Sequence, residues 1–228
     1  MKQIHAIVQN IGELIKNSED QIIEQIKNHE IQNETTTTDR FLGTIVNEIN
    51  QHGLDHSFPE GLVIQATTLT DRGPNTQESR LGADFSIILD IDVENFRLRK
   101  GVLFQAKNAG NGIRTRNPGG RVRTVSFTNT RLDELRPQVE NMFTVTPDNF
   151  VIIYDTKGFQ VVPGNSILGL TQGDTVYAKP ISNFFKEFLM CFIGDPKLTS
   201  TNPSEWNIED GKISIRTSLE IIVKEKGL

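Results

Sequence analysis

The chain has 228 residues, a formal net charge of −5 and 36% hydrophobic residues, a composition typical of a soluble globular protein with one sizeable core. Its single cysteine, Cys191, excludes a disulfide framework or a cysteine metal site within one chain. No uninterrupted apolar run approaches the roughly 18 residues that span a bilayer, so we expect a cytoplasmic protein, neither secreted nor membrane-inserted.

Two amphipathic helices are predicted at the N-terminus. Apolar residues recur at three- and four-residue spacing up to about Lys16. Ser18 followed by Gln21 matches a capping box, which predicts the start of a second isoleucine-rich helix. We interpret residues 1–33 as a helical extension of a main domain at 34–228. Its isoleucine stripe either covers the core or forms a dimer interface.

A third helix is predicted after the polar stretch NETTTTD, and it stops at Gly53. Its apolar face comprises Phe41, Leu42, Ile45, Val46 and Ile49. Glu34 lies at its start and Glu48 near its end, roughly on one helical stripe. Each carboxylate either points toward the sheet or is an ordinary surface charge.

Three strands follow. Leu62–Thr70 is rich in β-formers, and the loop DRGPNTQES leads from it into Phe85–Val93. Apolar and polar residues alternate in that second strand, which is the period of a strand with one buried face. Ile88 is the exception on the polar face. A further β-rich segment occupies residues 102–106.

The second and third of these strands are predicted to form a hairpin. If the turn lies at residues 94–95, antiparallel pairing places Asp84 opposite Gln105. Gln105 and Lys107 are two residues apart and project from the same face. A bulge at Gly101 would shift the register by one residue. A carboxylate, an amide and an ammonium are therefore expected to converge at one end of the hairpin.

A basic segment overlaps this hairpin and continues past it. Residues 97–136 contain ten Lys or Arg against Asp133 and Glu134, a local net of +8, which leaves −13 for the rest of the chain. This asymmetry indicates either an anion-binding surface, with nucleic-acid phosphates as the obvious partner, or a solvated loop. The loop arginines predicted to bind nucleic acid are Arg114, Arg116, Arg121 and Arg123.

The C-terminal half is predicted to begin with a helix capped by Thr130 and Asp133, which Pro137 kinks or restarts. Asn149–Tyr154 and the following FQVVP form a hairpin with Gly158 in its turn. An apolar helix at residues 181–193 would bury Cys191. The tail DGKISIRTSLEIIVKEKG mixes helix and strand features and predicts neither.

The converging residues suit a hard divalent cation. Mg²⁺ prefers carboxylate and carbonyl oxygens, often with one or two protein carboxylates and the remainder from water and phosphate. Asp84 would be the anionic ligand, and the Gln105 side chain and the Ala106 carbonyl would offer neutral oxygens. Lys107 would then polarise the attacking water and offset phosphate charge. Such a site would hydrolyse phosphodiesters.

This arrangement resembles the PD-(D/E)XK nuclease superfamily, with GAD at residues 82–84 and QAK at residues 105–107. The likeness runs from the third helix to about Pro163. It is greatest to the Mrr-type and anti-phage effector branches, in which the second acidic position is a glutamine. Ala83 replaces the family's proline. The resemblance implies an α/β restriction-endonuclease-like core, a mixed central sheet flanked by helices in the order αβββαβ, after an N-terminal helical extension.

The resemblance also implies roles for these residues. Asp84 corresponds to the metal-binding aspartate, Gln105 to the D/E position and Lys107 to the catalytic lysine. For the family's additional helix glutamate, Glu34 is preferred because its position at the helix start is nearer a strand end. The alternatives are Glu48 and Glu78.

The implied activity is a metal-dependent endonuclease that hydrolyses DNA phosphodiester bonds in restriction or anti-phage defence. Mg²⁺ or Mn²⁺ would be the cofactor and double-stranded DNA the substrate. The protein would act as a homodimer or with other defence proteins. A catalytically inactive nuclease-like module that binds nucleic acid or a partner, and an RNA-directed nuclease, are the alternatives.

Overall fold

A computed structural model of the chain describes residues 2–54, 61–70, 82–94, 96–116, 123–202, 205–206 and 215–225. Glu78, Arg121 and the predicted turn residue at position 95 lie outside these ranges. The helices are α1 (Lys2–Lys27), α2 (Glu34–Leu54), α3 (Asn129–Phe143), α4 (Gly164–Leu168) and α5 (Ile181–Leu189). The strands are β1 (Leu62–Thr70), β2 (Phe85–Val93), β3 (Phe96–Asn108), β4 (Ile113–Arg116), β5 (Arg123–Phe127), β6 (Asn149–Tyr154), β7 (Gln160–Pro163), β8 (Thr175–Pro180) and β9 (Thr217–Glu225).

The strands of the described ranges join into one mixed sheet in the order β1-β9-β2-β3-β6-β7-β8-β5-β4. β2 and β3 are antiparallel, whereas β3 runs parallel to β6 and β2 runs parallel to β9. Helices flank this sheet, so the predicted α/β class with a mixed central sheet is confirmed. No helix within the described ranges is both long and apolar enough to cross a membrane.

The sheet separates two hydrophobic clusters, which explains the pattern of β2. Phe85, Ile87 and Leu89 pack with α1, α2 and α5 on one face of the sheet. Ile88, the exception in the alternation, is fully buried in the cluster that α3, α4 and the β4–β5 hairpin form on the other face. The central strands are therefore covered on both sides, as expected for a sheet that contains parallel strands.

The predicted pair of N-terminal helices is wrong, because the segment is one continuous helix, α1. Ser18 is fully buried, and its hydroxyl donates to the Leu14 carbonyl at 2.9 Å instead of capping a new helix. The isoleucine stripe covers the core, the first of the two roles considered for it. Its buried members are Ile7, Ile11, Ile15, Ile22 and Ile23.

The hairpin register is confirmed. Phe85 pairs with Phe104, so the preceding Asp84 lies opposite Gln105. The bulge considered at Gly101 does not form, because Ile88 pairs with Gly101 in an unbroken ladder. Glycine is required there for a different reason. A Cβ at position 101 would lie 2.5 Å from Ile88 Cδ1 and 2.8 Å from the Leu198 carbonyl oxygen.

The C-terminal half confirms some predictions and corrects others. The β6–β7 hairpin forms with Gly158 at φ 127° in its turn. Helix α3 begins after Thr128, so the predicted cap at Thr130 is wrong, and it continues through Pro137 without restarting. The unassigned tail contributes β9, which lies between β1 and β2.

Cys191 is exposed and lies beyond α5, at φ 65°, so the prediction of a buried helix residue is wrong. Helix α5 ends at Leu189, and Cys191 takes the left-handed conformation that commonly closes a helix, with Phe192 N donating to the Glu187 carbonyl at 3.0 Å. The Lys100 ammonium donates to the carbonyls of Phe188 and Ile193 and lies 4.7 Å from the centre of the Phe188 ring. A lysine favours the negative end of a helix dipole.

Candidate active site

The site is built on the end of β3 that extends past the start of β2. Alternate residues of β3 turn their N–H and carbonyl groups toward β2. Phe104 is the last of them to bond the neighbouring backbone, since its carbonyl accepts from Asp84 N at 2.7 Å. The next two groups are taken by carboxylates. Ala106 N donates to Asp84 Oδ2 at 2.7 Å, and Asn108 N donates to Glu34 Oε1 at 3.0 Å. Asp84 and Glu34 therefore lie side by side along one strand edge.

Asp84 is held in place by the backbone before it. Gly82 has φ 74°, and a Cβ there would lie 2.3 Å from the carbonyl oxygen of Gln138 in α3. Only glycine allows this close approach together with the left-handed conformation. The GAD segment is therefore packed between α3 and β3, and this packing orients the Asp84 side chain.

Gln105 and Lys107 project from the same face, as predicted, and both are buried. The Gln105 amide nitrogen donates to Asp84 Oδ2 at 2.5 Å and lies 3.3 Å from the Ala106 carbonyl oxygen. Lys107 Nζ lies 3.7 Å from Glu34 Oε2. The structure thus brings together the five predicted residues of the cluster, with Asp84 bonded to Gln105 and Glu34 beside Lys107.

Helix α2 delivers Glu34 to this edge. Asn33 caps the helix, since its side-chain oxygen accepts from Thr36 N at 2.7 Å. Glu34 is therefore the first helical residue, at the positive end of the helix dipole. Glu48 lies 14 residues further along the helix, about 21 Å away at 1.5 Å per residue. It contacts Gln21 and His52 instead, at 2.8 and 3.8 Å.

Burial raises the pKa of Asp84, and the negative charge of Glu34 raises it further. The Ala106 N–H group, Lys107 and Arg216 act in the opposite direction, but burial is the largest contribution. The ionised aspartate is therefore held in an environment that disfavours its charge. An additional positive charge beside it would relieve this cost.

We expect Asp84→Asn to stabilise the protein at neutral pH when divalent cations are removed with EDTA. Because the folded-state pKa lies above the ordinary value of 3.8, the stabilising protonated form is lost as pH rises through the raised pKa. The neutral amide avoids this cost, so we expect a higher Tm for the variant than for the wild type. Thermal unfolding across pH should show the gain shrink toward acid pH. A lower Tm for the variant at pH 7 would contradict the prediction.

Other side chains at the site were not anticipated from the sequence. The buried hydroxyls of Tyr154 and Thr38 are hydrogen-bonded at 2.8 Å, and burial raises the Tyr154 pKa. Asp39 on α2 pairs with Arg216, which directly precedes β9. Stepping one helical turn from Glu34 leads to Thr38, whereas Asp39 lies five residues on and is not on the same helical stripe. Arg216 could not be placed at the site from the sequence, because the C-terminal segment around it had no predicted secondary structure.

Three of the four predicted nucleic-acid-binding arginines lie within the described residues, on the antiparallel strands β4 and β5. Arg114 and Arg116 are exposed on β4 and line a cleft of about 580 Å³, together with Lys157 and Asn108. Asn108 also belongs to the carboxylate edge, so the cleft opens beside the site. Arg123 is half-buried on β5 and packs against the turn at Gly158.

The donor set fits a hard divalent cation. The described residues contain no group of three or more His, Cys, Asp or Glu side chains that could hold a metal. The site instead offers the Asp84 carboxylate, the Ala106 carbonyl and the Gln105 amide, with the Gln105 nitrogen within 3.3 Å of both other oxygens. An amide presents either nitrogen or oxygen to the same neighbours after a half-turn of its terminal bond. Oxygen ligands of this kind suit Mg²⁺ or Mn²⁺.

Comparison of the chain with protein-family models, with curated proteins and with solved structures finds no match.

Proposed function

We propose that the protein is a metal-dependent endonuclease that hydrolyses DNA phosphodiester bonds, with a restriction-endonuclease-like core. The observation that carries this proposal is the carboxylate edge of β3, where Asp84, Glu34, Gln105 and Lys107 meet beside a cleft with exposed arginines. The order α2, β1, β2, β3, α3, β6 agrees with the αβββαβ order that the resemblance implies, with β4 and β5 inserted before α3.

Each side chain has a chemical task in this proposal. A bound Mg²⁺ or Mn²⁺ would supply the charge that stabilises the transition state, held by Asp84, Gln105 and the Ala106 carbonyl. Lys107 is buried, so its ammonium acts in surroundings where a charge is poorly screened. It holds the attacking water and offsets the charge on the phosphate. Glu34 orients Lys107 and anchors the strand end through Asn108 N.

Double-stranded DNA is the proposed substrate, because exposed Arg114, Arg116 and Lys157 offer sequence-independent phosphate contacts beside the site. The chemistry itself does not distinguish DNA from RNA, so an RNA-directed nuclease is the nearest variant of this proposal. A role in restriction or anti-phage defence, in the cytoplasm, as a homodimer or with other defence proteins, belongs to the same proposal.

A specific observation favours a second candidate, a catalytically inactive nuclease-like module that binds nucleic acid or a partner. The Gln105 amide donates to Asp84 and so satisfies the carboxylate without a cation. A neutral ligand also contributes less to cation affinity than a carboxylate does. The two candidates differ in whether bound nucleic acid is cut.

Cleavage of supercoiled plasmid decides between them. We expect the wild-type protein to nick and linearise the plasmid in Mg²⁺ or Mn²⁺ and to be inactive in EDTA. Parallel reactions with a structured RNA test the choice of nucleic acid. The Asp84→Asn variant, purified identically, controls for contaminating nucleases because it keeps the fold and loses the anionic ligand. Binding without cleavage in either cation would favour the inactive module, and cleavage unaffected by EDTA would refute the metal-dependent mechanism.

A further inference from the structure

Arg216 lies beside the carboxylate edge although it is distant from it in the sequence. Strand β9 runs parallel to β2 and pairs Thr217 with Phe85. The residues that precede these two, Arg216 and Asp84, therefore start neighbouring strands, which are about 4.8 Å apart. The positive charge of Arg216 also favours the ionised form of Asp84.

The guanidinium of Arg216 crosses from the sheet to helix α2. Its Nη2 donates to Asp39, five residues after Glu34. Arg216 and Asp39 keep 43% and 42% of their side chains exposed. Exposed pairs of this kind contribute little to stability, since solvent screens them. The pair therefore adds little to the stability of the fold and leaves the arginine accessible beside the site.

A cation at this position offsets part of the negative charge around the site. Burial raises the pKa of the Tyr154 hydroxyl, and the negative charges of Asp84, Glu34 and Asp39 all act on this group and raise its pKa further. Lys107 is the other cation beside Asp84. A phosphodiester approaching this edge is anionic and is repelled by the carboxylates. Arginine offers a planar set of donors that matches phosphate oxygens two at a time, and it stays charged at any working pH.

We propose that Arg216 binds a backbone phosphate of the nucleic acid beside the cleaved bond, exchanging part of its contact with Asp39 for phosphate oxygens. This inference rests on the proposed function and adds a phosphate-binding residue that lies outside the GAD and QAK motifs.

The test measures binding of a short fluorescent DNA duplex, in EDTA, over a series of salt concentrations. We expect Arg216→Ala to weaken binding roughly tenfold to a hundredfold. The slope of log K against log salt should become shallower by about 0.9, the value for one lost phosphate contact. Arg216→Lys should keep the slope because it keeps the charge. Asp39→Ala should bind as tightly as wild type or more tightly, since it removes a negative charge near the phosphate.

Arg99→Ala is the matched control. Arg99 also pairs with a carboxylate and keeps 41% of its side chain exposed; its partner, the less exposed Glu220, lies on β9 four residues beyond Arg216. We expect its loss to leave duplex affinity and slope unchanged. Equal losses for Arg216→Ala and Asp39→Ala would show that the ion pair itself matters and would overturn the inference, as would an unchanged slope for Arg216→Ala. Failure of the wild type to bind or cut any nucleic acid would instead overturn the proposed function, and this inference with it.

Discussion

Replacing Lys107 by alanine is expected to reduce plasmid nicking in Mg²⁺ by roughly 10²- to 10⁴-fold, the range found when a catalytic proton donor or charge stabiliser is removed. The ammonium is buried near Glu34 and beside Asp84, where poor screening makes its charge effective. We also expect Tm to fall, because the variant loses a buried side chain and a cation that favours the ionised form of Asp84, so the rates are compared at a temperature at which both proteins are folded.

The rate should be measured as single-turnover nicking at saturating protein, so that a change in DNA affinity does not enter. Lys224→Ala is the matched control, because Lys224 is an exposed lysine on β9 and its loss changes the net charge equally. Lys107→Arg keeps the charge but replaces a compact ammonium with a larger, planar guanidinium, and we expect most of the loss of nicking rate to remain. Wild-type nicking by Lys107→Ala would remove this residue from the catalytic assignment.

The centre of the fold was predictable from the sequence because its signals are local. Alternation in β2 and a short turn fix the pairing of Asp84 with Gln105, and the two-residue period places Lys107 on the same face. The break at Ile88 is explained by a sheet buried on both faces. Of the arginines in the +8 segment, Arg114 and Arg116 line the cleft, and Arg123 lies on the neighbouring strand β5 against the turn at Gly158.

What escaped prediction depends on tertiary contacts. Ser18 resembles a helix cap, but burial of the isoleucine stripe on both sides of it keeps α1 continuous. Cys191 lies in an apolar run, yet the helix ends before it in a left-handed turn, and buried Lys100 bonds the Phe188 carbonyl there. Strand β9 inserts between β1 and β2 from the far end of the chain, so the neighbourhood of Arg216 has no counterpart in local sequence.

The choice among the candidate glutamates shows the same limit. Helical periodicity places Glu34 and Glu48 on roughly one stripe, so periodicity alone does not choose between them. The open edge of β3 distinguishes the two glutamates. Asn108 N lacks a strand partner on that side, and Glu34 supplies the acceptor at 3.0 Å. Glu48 is occupied by Gln21 and His52.

We expect Gln105→Glu to lower the stability of the protein in the absence of a cation. We also expect an added cation to stabilise this variant more than it stabilises the wild type. The native amide donates to Asp84 Oδ2 at 2.5 Å, whereas an ionised glutamate places a second acceptor there. Loss of a hydrogen bond to a charged group costs about 1.5–3 kcal/mol, before any repulsion between the carboxylates. For a domain of this size we expect Tm in EDTA to fall by roughly 3–12 °C.

Mg²⁺ or Mn²⁺ should reverse most of this loss, because a second carboxylate raises the affinity of the site for a hard cation and the bound ion relieves the repulsion. The measurement is Tm as a function of cation concentration, which needs no cleavage. Gln105→Leu is the control, since it also loses the hydrogen bond but adds no charge, and its Tm should show no greater cation response than wild type. If Gln105→Glu and Gln105→Leu respond alike to the cation, Gln105 does not face a metal site, and the inactive module becomes the better account of this protein.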